Sequence, residues 1–332
     1  IKADKLNLST DMATSKLSIC FLLQLIFLAF CLDLASGHRL KVGFYKKTCP
    51  NVEAIVKKTI DQVISVQPTL AASLLRMHFH DCFVRGCEAS VLLDTKDAEK
   101  YADANLSLRG FKIIDKIKTA VEEVCPGVVS CADILALITR DAIVAIKGPF
   151  WEVETGRRDG RVSISNEAST NLPAPTANIS TLKSRFQHKG LSVKDLVVLS
   201  GGHTIGISHC SSFNKRLYNF TDPTLDPNYA VKLKMKCKPG DQNSVVEMDP
   251  GSVKTFDEDY YTLVSKRRGL FQSDAALLDD SETRAYVKLQ ATKHAYGSTF
   301  FKDFGVSMVK MGRIGVLTGK AGEIRKVCSK IN

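Results

Sequence analysis

The chain has 332 residues, of which 44% are hydrophobic and 24% are charged. This composition is typical of a globular protein, and it excludes both an intrinsically disordered chain and one with many membrane spans. Lysine and arginine outnumber aspartate and glutamate by 46 to 35, which gives a net charge of +11. The positive charge favours polyanionic surroundings, but it does not by itself indicate a nucleic-acid-binding protein.

The N-terminal region has the pattern of a secretory signal peptide. Lys16 precedes an apolar run at residues 19–32, and small residues follow at 35–37. A basic flank, a short apolar segment and a small-residue cleavage site are the three parts of such a signal. A buried core helix would need neither flank, and the run is too short to span a bilayer comfortably. We expect residues 1–37 to be removed, and the part before Met12 to be leader that is not translated.

Of ten cysteines, two lie in the segment expected to be removed. The other eight are an even number, as a secreted disulfide framework requires. They are Cys49, Cys82, Cys87, Cys125, Cys131, Cys210, Cys237 and Cys328. No Cys-x-x-Cys pair occurs, which argues against a zinc site. Eight cysteines can pair in about a hundred ways, so the residues alone leave the connectivity open.

Helical periodicity dominates the rest of the chain. Apolar residues recur every three or four positions over 52–64 and 113–124, which predicts two amphipathic helices. Two Ser-x-x-Asp segments, 130–133 and 192–195, resemble capping boxes before apolar runs. The segment 171–175 contains two prolines and is a candidate domain boundary. The sequence predicts a mainly α protein, and its length suggests about two domains.

Residues 70–83 concentrate polar side chains in one predicted helix. Arg76 and His80 are four residues apart and would share a face, with Phe79 beside them. A permanent cation and a side chain that exchanges a proton near neutral pH suit a reaction that moves a proton and leaves an anion, such as peroxide cleavage. A surface arginine with a hydrogen-bonded core histidine is the alternative, and for such a pair taken alone it would be the better interpretation.

The next residues have the spacing of a loop that binds a hard cation such as calcium. Three side chains and two backbone carbonyls would supply the oxygen ligands. The side chains are those of Asp81, Glu88 and Ser90, and the carbonyls are those of Val84 and Gly86. A disulfide between Cys82 and Cys87 would hold the loop. The alternative is a solvated acidic turn, which would not need a glycine, a serine and two cysteines at these positions.

Two segments resemble the signatures of a known family, the class III secreted plant haem peroxidases. Residues 76–90, RMHFHDCFVRGCEAS, resemble the motif on the distal side of the haem, and residues 195–206, DLVVLSGGHTIG, resemble the proximal motif. They occur in the family's order and separation, with GRRD at 156–159 and NLPAP at 171–175 between them. The resemblance covers residues 38–332.

The resemblance implies a mainly α, two-domain fold with haem b between the domains and very little β structure. The distal domain would comprise residues 38–178 and the proximal domain residues 179–294. The C-terminal segment 295–332 would pack back on the distal domain through a disulfide. The implied disulfides are Cys49–Cys125, Cys82–Cys87, Cys131–Cys328 and Cys210–Cys237.

The implied proximal residues are His203, the axial ligand of the haem iron, and Asp274, which would accept the other ring N–H of His203. That hydrogen bond would raise the electron density on iron. Pro173 matches a residue of the access channel. Small phenols would give up two electrons there, one at a time, after hydrogen peroxide has reacted.

The implied distal residues divide the proton chemistry. His80 would be general base and then general acid, and Arg76 would stabilise the charge that develops on the departing oxygen. Asn105 would bind the ring of His80 and keep it basic, and Phe79 would lie beside it. Asn105 also begins an Asn-Leu-Ser glycosylation sequon, and the two roles exclude each other. We favour the buried role.

The resemblance also implies two calcium ions. The distal ion would bind in the loop 81–90, with Glu99 in its outer shell. The proximal ion would use Thr204, Asp249, Ser252, Thr255 and Asp257. Glu88 stands where the family usually has aspartate, and we expect the longer side chain to loosen the distal site. Ser252 likewise stands where threonine is common.

We expect the protein to be a monomer. We expect it in the apoplast or cell wall, because the chain ends four residues after Cys328, without a long extension that would direct it to a vacuole. Its partners would be hydrogen peroxide, small phenolic donors and, given the charge, acidic wall polysaccharide. We expect neither nucleic acid nor membrane as a partner. Asn178 and Asn219 begin further glycosylation sequons.

Two other classes of protein compete with this hypothesis. A calcium-stabilised binder of wall polysaccharide without catalysis would have no reason to keep the implied catalytic and haem-binding residues together. A metal hydrolase using His78, His80 and Asp81 is unfavourable, because two histidines two residues apart diverge on a helix. A haem absorbance spectrum would separate all three classes.

Overall fold

The computed structural model describes residues 40–218, 222–292 and 297–332, together with Gln24 upstream. Apart from Gln24, the expected signal peptide lies outside the described residues, and so does the sequon at Asn219. Residues 41–332 form one compact unit. The division into a distal and a proximal domain therefore stays a prediction.

Helices carry most of the described chain, as predicted. The part of the chain that the structure describes contains thirteen α-helices: α1 Val52–Val66, α2 Leu70–Val84, α3 Phe111–Val124, α4 Cys131–Ala145, α5 Ser165–Asn171, α6 Ile179–His188, α7 Val193–Ser200, α8 Lys215–Tyr218, α9 Pro227–Lys236, α10 Asp259–Ser265, α11 Gln272–Ala276, α12 Ser281–Thr292 and α13 Phe300–Met311. Four short 3-10 helices accompany them: Ser90–Leu92, Glu99–Tyr101, Gly201–Thr204 and Cys210–Ser212. The mainly α prediction is confirmed.

The β structure within these ranges is two short antiparallel strand pairs and two isolated antiparallel bridges, Arg158 with Leu317 and Asp159 with Glu323. Strand β1, Lys41–Val42, pairs with β2, Glu154–Thr155. Strand β3, Ile207–His209, pairs with β4, Val245–Glu247, through the register Ser208 opposite Val246. The second pair lies directly after the turn that carries His203. This pairing fixes the direction in which the chain leaves that turn.

The core is built around α4. Every residue from Cys131 to Ile143 is buried, which is typical of a helix that is covered on all sides. Helix α1 packs on it through Val56 and Ile60, which repeat at the four-residue spacing of one helix face. Helix α2 packs on α4 as well. The orientation of α2, which carries Arg76 and His80, is therefore set by the core.

At the start of α4 only half of the expected capping box forms. Ser130 Oγ accepts the Asp133 backbone N–H at 3.1 Å. The Asp133 carboxylate does not return the bond, because it accepts the Tyr45 hydroxyl at 2.7 Å and pairs with Arg157 Nη1 at 2.8 Å. A buried, charge-assisted pair is stronger than a cap bond and takes precedence. The box at 192–195 forms in both directions.

Four disulfides connect the chain, and their pairs are those that the resemblance implied. They are Cys49–Cys125, Cys82–Cys87, Cys131–Cys328 and Cys210–Cys237. The third closes a loop over a sequence separation of 197 residues. In the chain-entropy model, closing a loop of that length lowers the conformational entropy of the unfolded chain, which raises the free energy of unfolding by about 5 kcal/mol. Among the described helices, none combines the length and the apolar character needed to cross a membrane.

Candidate active site

His80 lies on the buried face of α2 with its ring held by an amide. Its Nδ1 donates to Asn105 Oδ1 at 2.5 Å, and Asn105 Nδ2 donates to the Glu99 carbonyl at 2.8 Å. Because the amide nitrogen is engaged by Glu99, the amide oxygen faces the ring and Nδ1 carries the hydrogen. Nε2 is then the free acceptor. Asn105 is only 1% exposed, so its sequon is closed to a glycan.

Burial keeps His80 neutral. Desolvation, followed by the nearby charge of Arg76, lowers the pKa of His80 to about 3, against a smaller raising effect of the Asn105 hydrogen bond. At neutral pH the ring is therefore an unprotonated imidazole. It can accept a proton from a molecule that reaches Nε2.

Arg76 shares the face of α2 with His80 and is anchored by the same loop. Its guanidinium donates to Ser107 Oγ at 2.9 Å and to the Ala104 carbonyl at 2.6 Å, on either side of Asn105. Burial and then Arg109 lower the pKa of Arg76 to about 10, which still leaves it cationic at neutral pH. The sequence gives no sign of the Ser107 and Ala104 contacts, because a serine hydroxyl and a backbone carbonyl in a loop carry no recognisable signal.

Aromatic rings line the same side of α2. Phe79 lies edge-on to His80, with ring centroids 5.5 Å apart, and packs on Phe83 at 4.4 Å. Phe83 continues to Phe186 of α6 at 4.9 Å. Phe79 and Pro173 are both half-buried. Phe79, held in place by Phe83, restricts how the His80 side chain can turn.

His203 lies in the 3-10 helix Gly201–Thr204 that follows α7. Its Nδ1 donates to Asp274 Oδ1 at 2.8 Å, and the same carboxylate accepts the Tyr260 hydroxyl at 2.9 Å and the Phe271 N–H at 2.8 Å. Burial raises the pKa of Asp274, but the charge of His203 and these hydrogen bonds outweigh it, so the pKa lies below its usual value. Asp274 is therefore ionised.

The Nε2 atom of His203 is available to a metal. Nδ1 is committed to Asp274, and 37% of the side chain is exposed, whereas Asp274 is almost fully covered. Phe271 lies edge-on to the imidazole at 5.2 Å and orients it. A histidine whose other nitrogen is bound to a carboxylate has the geometry of a metal ligand. No sequence motif marks Tyr260, so its contact with Asp274 is visible only in the structure.

The segments that carry the two histidines are in contact. A Cβ added to Gly202 would lie 3.3 Å from Leu75 Cδ2, and one added to Gly206 would lie 2.8 Å from Ala72 Cβ. Gly206 also has φ +92°, a conformation that favours glycine. The two glycines therefore allow α2 to approach the His203 turn closely.

Beyond His80 lies a cluster of buried oxygen atoms, which we call the distal cluster: Asp81, Glu88, Ser90 and Glu99. Four of these atoms have no hydrogen-bond partner among the described residues, namely Glu88 Oε1, Ser90 Oγ and both carboxylate oxygens of Glu99. Burial, and then Glu88, raises the pKa of Asp81 well above its ordinary value, and burial raises that of Glu99 to about 8. Orphaned buried carboxylates are costly without a cation, so these residues fit calcium.

The two carbonyls expected to complete that site have other partners as well. The Val84 carbonyl accepts Lys189 Nζ at 3.0 Å, and the Gly86 carbonyl accepts the Glu88 N–H at 2.7 Å. Each carbonyl oxygen keeps a second lone pair that could bind a cation.

After His203 lies a second set of oxygen atoms, the proximal cluster: Thr204, Asp249, Ser252, Thr255 and Asp257. Thr204 Oγ1 donates to Asp257 Oδ1 at 2.9 Å, and the Ser252 hydroxyl donates to Asp257 and, at 3.1 Å, to the Thr255 carbonyl. Asp249 Oδ2 is buried and has no hydrogen-bond partner within the part of the chain that the structure describes. Burial, and then Asp257, raises the pKa of Asp249 to about 7. All five expected residues meet here, and their oxygen atoms fit calcium.

The metal-hydrolase alternative finds no support in the geometry. His78 contacts Cys82 Sγ at 3.7 Å, whereas His80 contacts Asn105, so the two rings diverge. His78, Cys82 and Cys87 are close enough to hold a metal ion. The two cysteines are bonded to each other, however, and so provide no thiolate.

Comparisons with known proteins agree with the site. A family model described as peroxidase matches residues 52–293. Peroxidase 27 of Arabidopsis thaliana is 64% identical, over 92% of this chain and 97% of that protein. Peroxidase 56 of the same plant is 60% identical over 97% and 100%, and peroxidase 1 of Oryza sativa subsp. japonica is 53% identical over 97% and 100%.

The chain therefore belongs to the peroxidase family, among the class III plant haem peroxidases. It is an oxidoreductase that acts on hydrogen peroxide, and the family implies haem as its cofactor.

Proposed function

We propose that this peroxidase is secreted, binds one haem b and two calcium ions, and oxidises small phenols. Its reaction converts one hydrogen peroxide and two phenols to two water molecules and two phenoxyl radicals. The observation that carries the proposal is the contrast between two histidines in neighbouring segments. His80 is neutral beside the cationic Arg76, and His203 is bound to an ionised carboxylate.

His203 Nε2 would hold the haem iron. When bound, the haem supplies a metal centre that accepts hydrogen peroxide and takes up its two oxidising equivalents. Asp274 keeps the His203 ring in one orientation and increases the basicity of Nε2. Phe271 and Tyr260 limit how far the ring and the carboxylate can move.

His80 would move the proton. Its Nε2 would take a proton from one oxygen of hydrogen peroxide and deliver it to the other oxygen, which departs as water. Arg76 stabilises the negative charge on the departing oxygen. Asn105 keeps Nδ1 occupied so that the proton exchanges only at Nε2. Phe79 packs beside the ring and restricts water there.

Phenolic donors would approach beside Pro173, which is half-buried at the end of α5. This segment is tied to the proximal side, since Ser273 N–H, next to Asp274, donates to the Pro175 carbonyl at 3.0 Å. A donor at Pro173 could then transfer electrons singly without reaching His80.

The calcium ions would fix the backbone next to each histidine. The distal ion would be held by Asp81, Val84, Gly86, Glu88 and Ser90, with Glu99 outside them. The proximal ion would be held by Thr204, Asp249, Ser252, Thr255 and Asp257. Asp81 directly follows His80 and Thr204 directly follows His203. Removal of either ion would therefore disturb the adjacent histidine.

Secretion is supported by the four disulfides, which form and persist outside the cytosol. We further propose glycosylation at Asn178, which is exposed and whose Oδ1 accepts the Thr181 N–H at 2.9 Å, so that Nδ2 is available. The two domains, 38–178 and 179–294, would lie on either side of the haem, with the chain as a monomer.

Acidic wall polysaccharide is a further proposed partner. It is supported by the net charge of +11 and by an open groove along α6. The groove has a volume of about 560 Å³, and its lining includes hydroxyl and amide side chains and the cations Arg185 and Lys189. Uronate carboxylates would find hydrogen-bond donors there.

Reconstitution tests the central proposal. The mature chain is folded with hemin and calcium, and we expect a Soret band and phenol oxidation that requires hydrogen peroxide, with two phenols consumed per peroxide. A His188→Leu variant, altered on the exposed surface, should behave as the wild type. A colourless product, or phenol oxidation independent of peroxide, would refute the proposal.

A further inference from the structure

The Glu88 carboxylate lies in the space that a side chain at residue 160 would fill. A Cβ added to Gly160 would be 1.1 Å from Glu88 Oε2 and 2.2 Å from Glu88 Cδ. Gly160 is not among the glycines with positive φ, so its backbone conformation does not require glycine. The close approach of the carboxylate does.

The backbone around Gly160 cannot easily retreat. Gly160 N–H donates to the Glu88 carbonyl at 2.8 Å, which holds the two segments together. Asp159, directly before it, accepts the Ala132 N–H at 2.9 Å and the Arg325 N–H at 2.9 Å. Residue 160 is thus attached both to α4 and to the C-terminal segment.

The loop that carries Glu88 is fixed from its other side. Ala89 has a left-handed backbone, φ 60°, and its carbonyl accepts Arg325 Nη2 at 2.6 Å. Glu88 is 4% exposed, and its Oε1 has no hydrogen-bond partner within residues 40–218, 222–292 and 297–332. A side chain at residue 160 would therefore be accommodated mainly by moving the Glu88 carboxylate within the distal cluster.

We propose that Gly160 is a positioning residue for the distal calcium ion and acts as a pair with Glu88. Glu88 has one methylene more than aspartate, which moves its carboxylate outward by about the length of one C–C bond. Because Gly160 has no side chain, the Glu88 carboxylate can occupy the space beside it. The longer ligand then does not loosen the site. The inference rests on the proposed distal calcium site.

Calcium binding to the haem-loaded protein tests the pair directly. Chelator-treated protein is titrated with calcium by calorimetry, and Asp81→Asn identifies which binding event belongs to the distal cluster. We expect Gly160→Ala to weaken that event by about 10- to 100-fold, as changes that misplace a metal ligand do. In the double variant Glu88→Asp with Gly160→Ala, the shorter carboxylate clears the new methyl group, and affinity should return to within about threefold of the wild type.

Gly305→Ala in α13 is the matched control, because its Cβ would meet the Trp151 Cβ at 3.2 Å and the Phe150 carbonyl oxygen at 3.7 Å, and neither residue belongs to the distal cluster. It should leave calcium affinity unchanged. Wild-type affinity in Gly160→Ala, or failure of Glu88→Asp to restore it, would overturn the pairing. If Gly160→Ala does not fold, folding of the double variant supports the pairing and its failure to fold overturns it. No effect of Asp81→Asn would instead refute the distal calcium site itself.

Discussion

The two histidines of the site present the same imidazole with the same nitrogen engaged, yet their surroundings favour opposite chemistry. His80 donates from Nδ1 to a neutral amide, and His203 donates from Nδ1 to a carboxylate. The amide adds no charge, so burial and Arg76 keep His80 neutral and ready to accept a proton. The carboxylate raises the electron density of the His203 ring, which makes Nε2 a stronger metal ligand.

The group that accepts the Nδ1 hydrogen, rather than the imidazole itself, therefore distinguishes the proton-accepting histidine from the metal-binding one. Each histidine is also followed directly by a residue of a carboxylate cluster, Asp81 in one case and Thr204 in the other. The two sides therefore share one plan, a histidine next to an oxygen-rich cation site, and differ in the group behind the ring.

The largest effect is expected from His203→Leu. Leucine removes the only nitrogen proposed to bind the haem iron, so the Soret band and peroxide-dependent turnover should both be lost. Absorbance after reconstitution with hemin measures this. His209→Leu in β3 is the control and should retain both. An unaltered Soret band in His203→Leu would show that another residue holds the iron.

Next in size is His80→Ala. Loss of a general acid–base group should slow the reaction with peroxide by about 10²- to 10⁴-fold, while haem stays bound. Stopped-flow absorbance measures the rate, and His188→Ala controls for the loss of a histidine elsewhere. A wild-type rate would show that His80 moves no proton.

Asn105→Asp would give His80 the kind of partner that His203 has. A carboxylate beside the ring favours the imidazolium, so the pKa of His80 should rise from about 3 by about one to three units. Because the reactive form is neutral, activity should then be lost at a higher pH as the solution is acidified. The acidic limb of the kcat/KM profile measures the shift. Asn105→Ser, without the added charge, should shift it far less.

Calcium removal should affect both sides. Without the cation, the carboxyls of Glu99 and Asp249 have folded pKa values raised to about 8 and about 7. Between the unfolded and folded pKa values the folded state holds more protons, so stability in chelator should fall as pH rises from about 5 to about 8.

The corresponding fall in Tm should be on the order of 5–10 °C, and added calcium should abolish this pH dependence. Thermal unfolding is followed by circular dichroism at about pH 5 and about pH 8, with calcium and with chelator, which gives four conditions. Equal Tm values under all four conditions would contradict the calcium proposal.

The smallest effect is expected from Tyr260→Phe. It removes one hydrogen bond to Asp274 and should cost about 1–2 kcal/mol of stability and weaken haem retention a few-fold. Tyr261→Phe is a close control, since that buried hydroxyl donates to the Val197 carbonyl at 3.1 Å instead. Both variants should lower Tm, but only Tyr260→Phe should alter haem retention. Equal retention in the two would show that Tyr260 is structural only.

Local patterns in the sequence determined much of the fold. The three- and four-residue periodicity over 52–64 and 113–124 predicted α1 and α3, because helix formation depends on side chains within one or two turns. The serine before α7 predicted a cap for the same reason. Arg76 and His80 could be placed together since they share one helix.

Resemblance to family motifs identified site residues that helical periodicity alone could not identify. The contacts between distant segments still came only with the tertiary structure. Asn105 reaches His80 across 25 residues and Asp274 reaches His203 across 71, and neither distance can be read from spacing alone.

The expected capping box at 130–133 shows that a long-range contact can also override a local sequence pattern. Ser130 caps α4 as the local pattern indicates, but Asp133 is taken by Arg157, a partner 24 residues away. The same holds for Tyr260 behind Asp274 and for Gly160 against Glu88. The sequence by itself determined helices, caps and candidate residues, because those depend on near neighbours. Only the packed structure decided which group lies behind each histidine and carboxylate, because burial and long-range contacts set those partners.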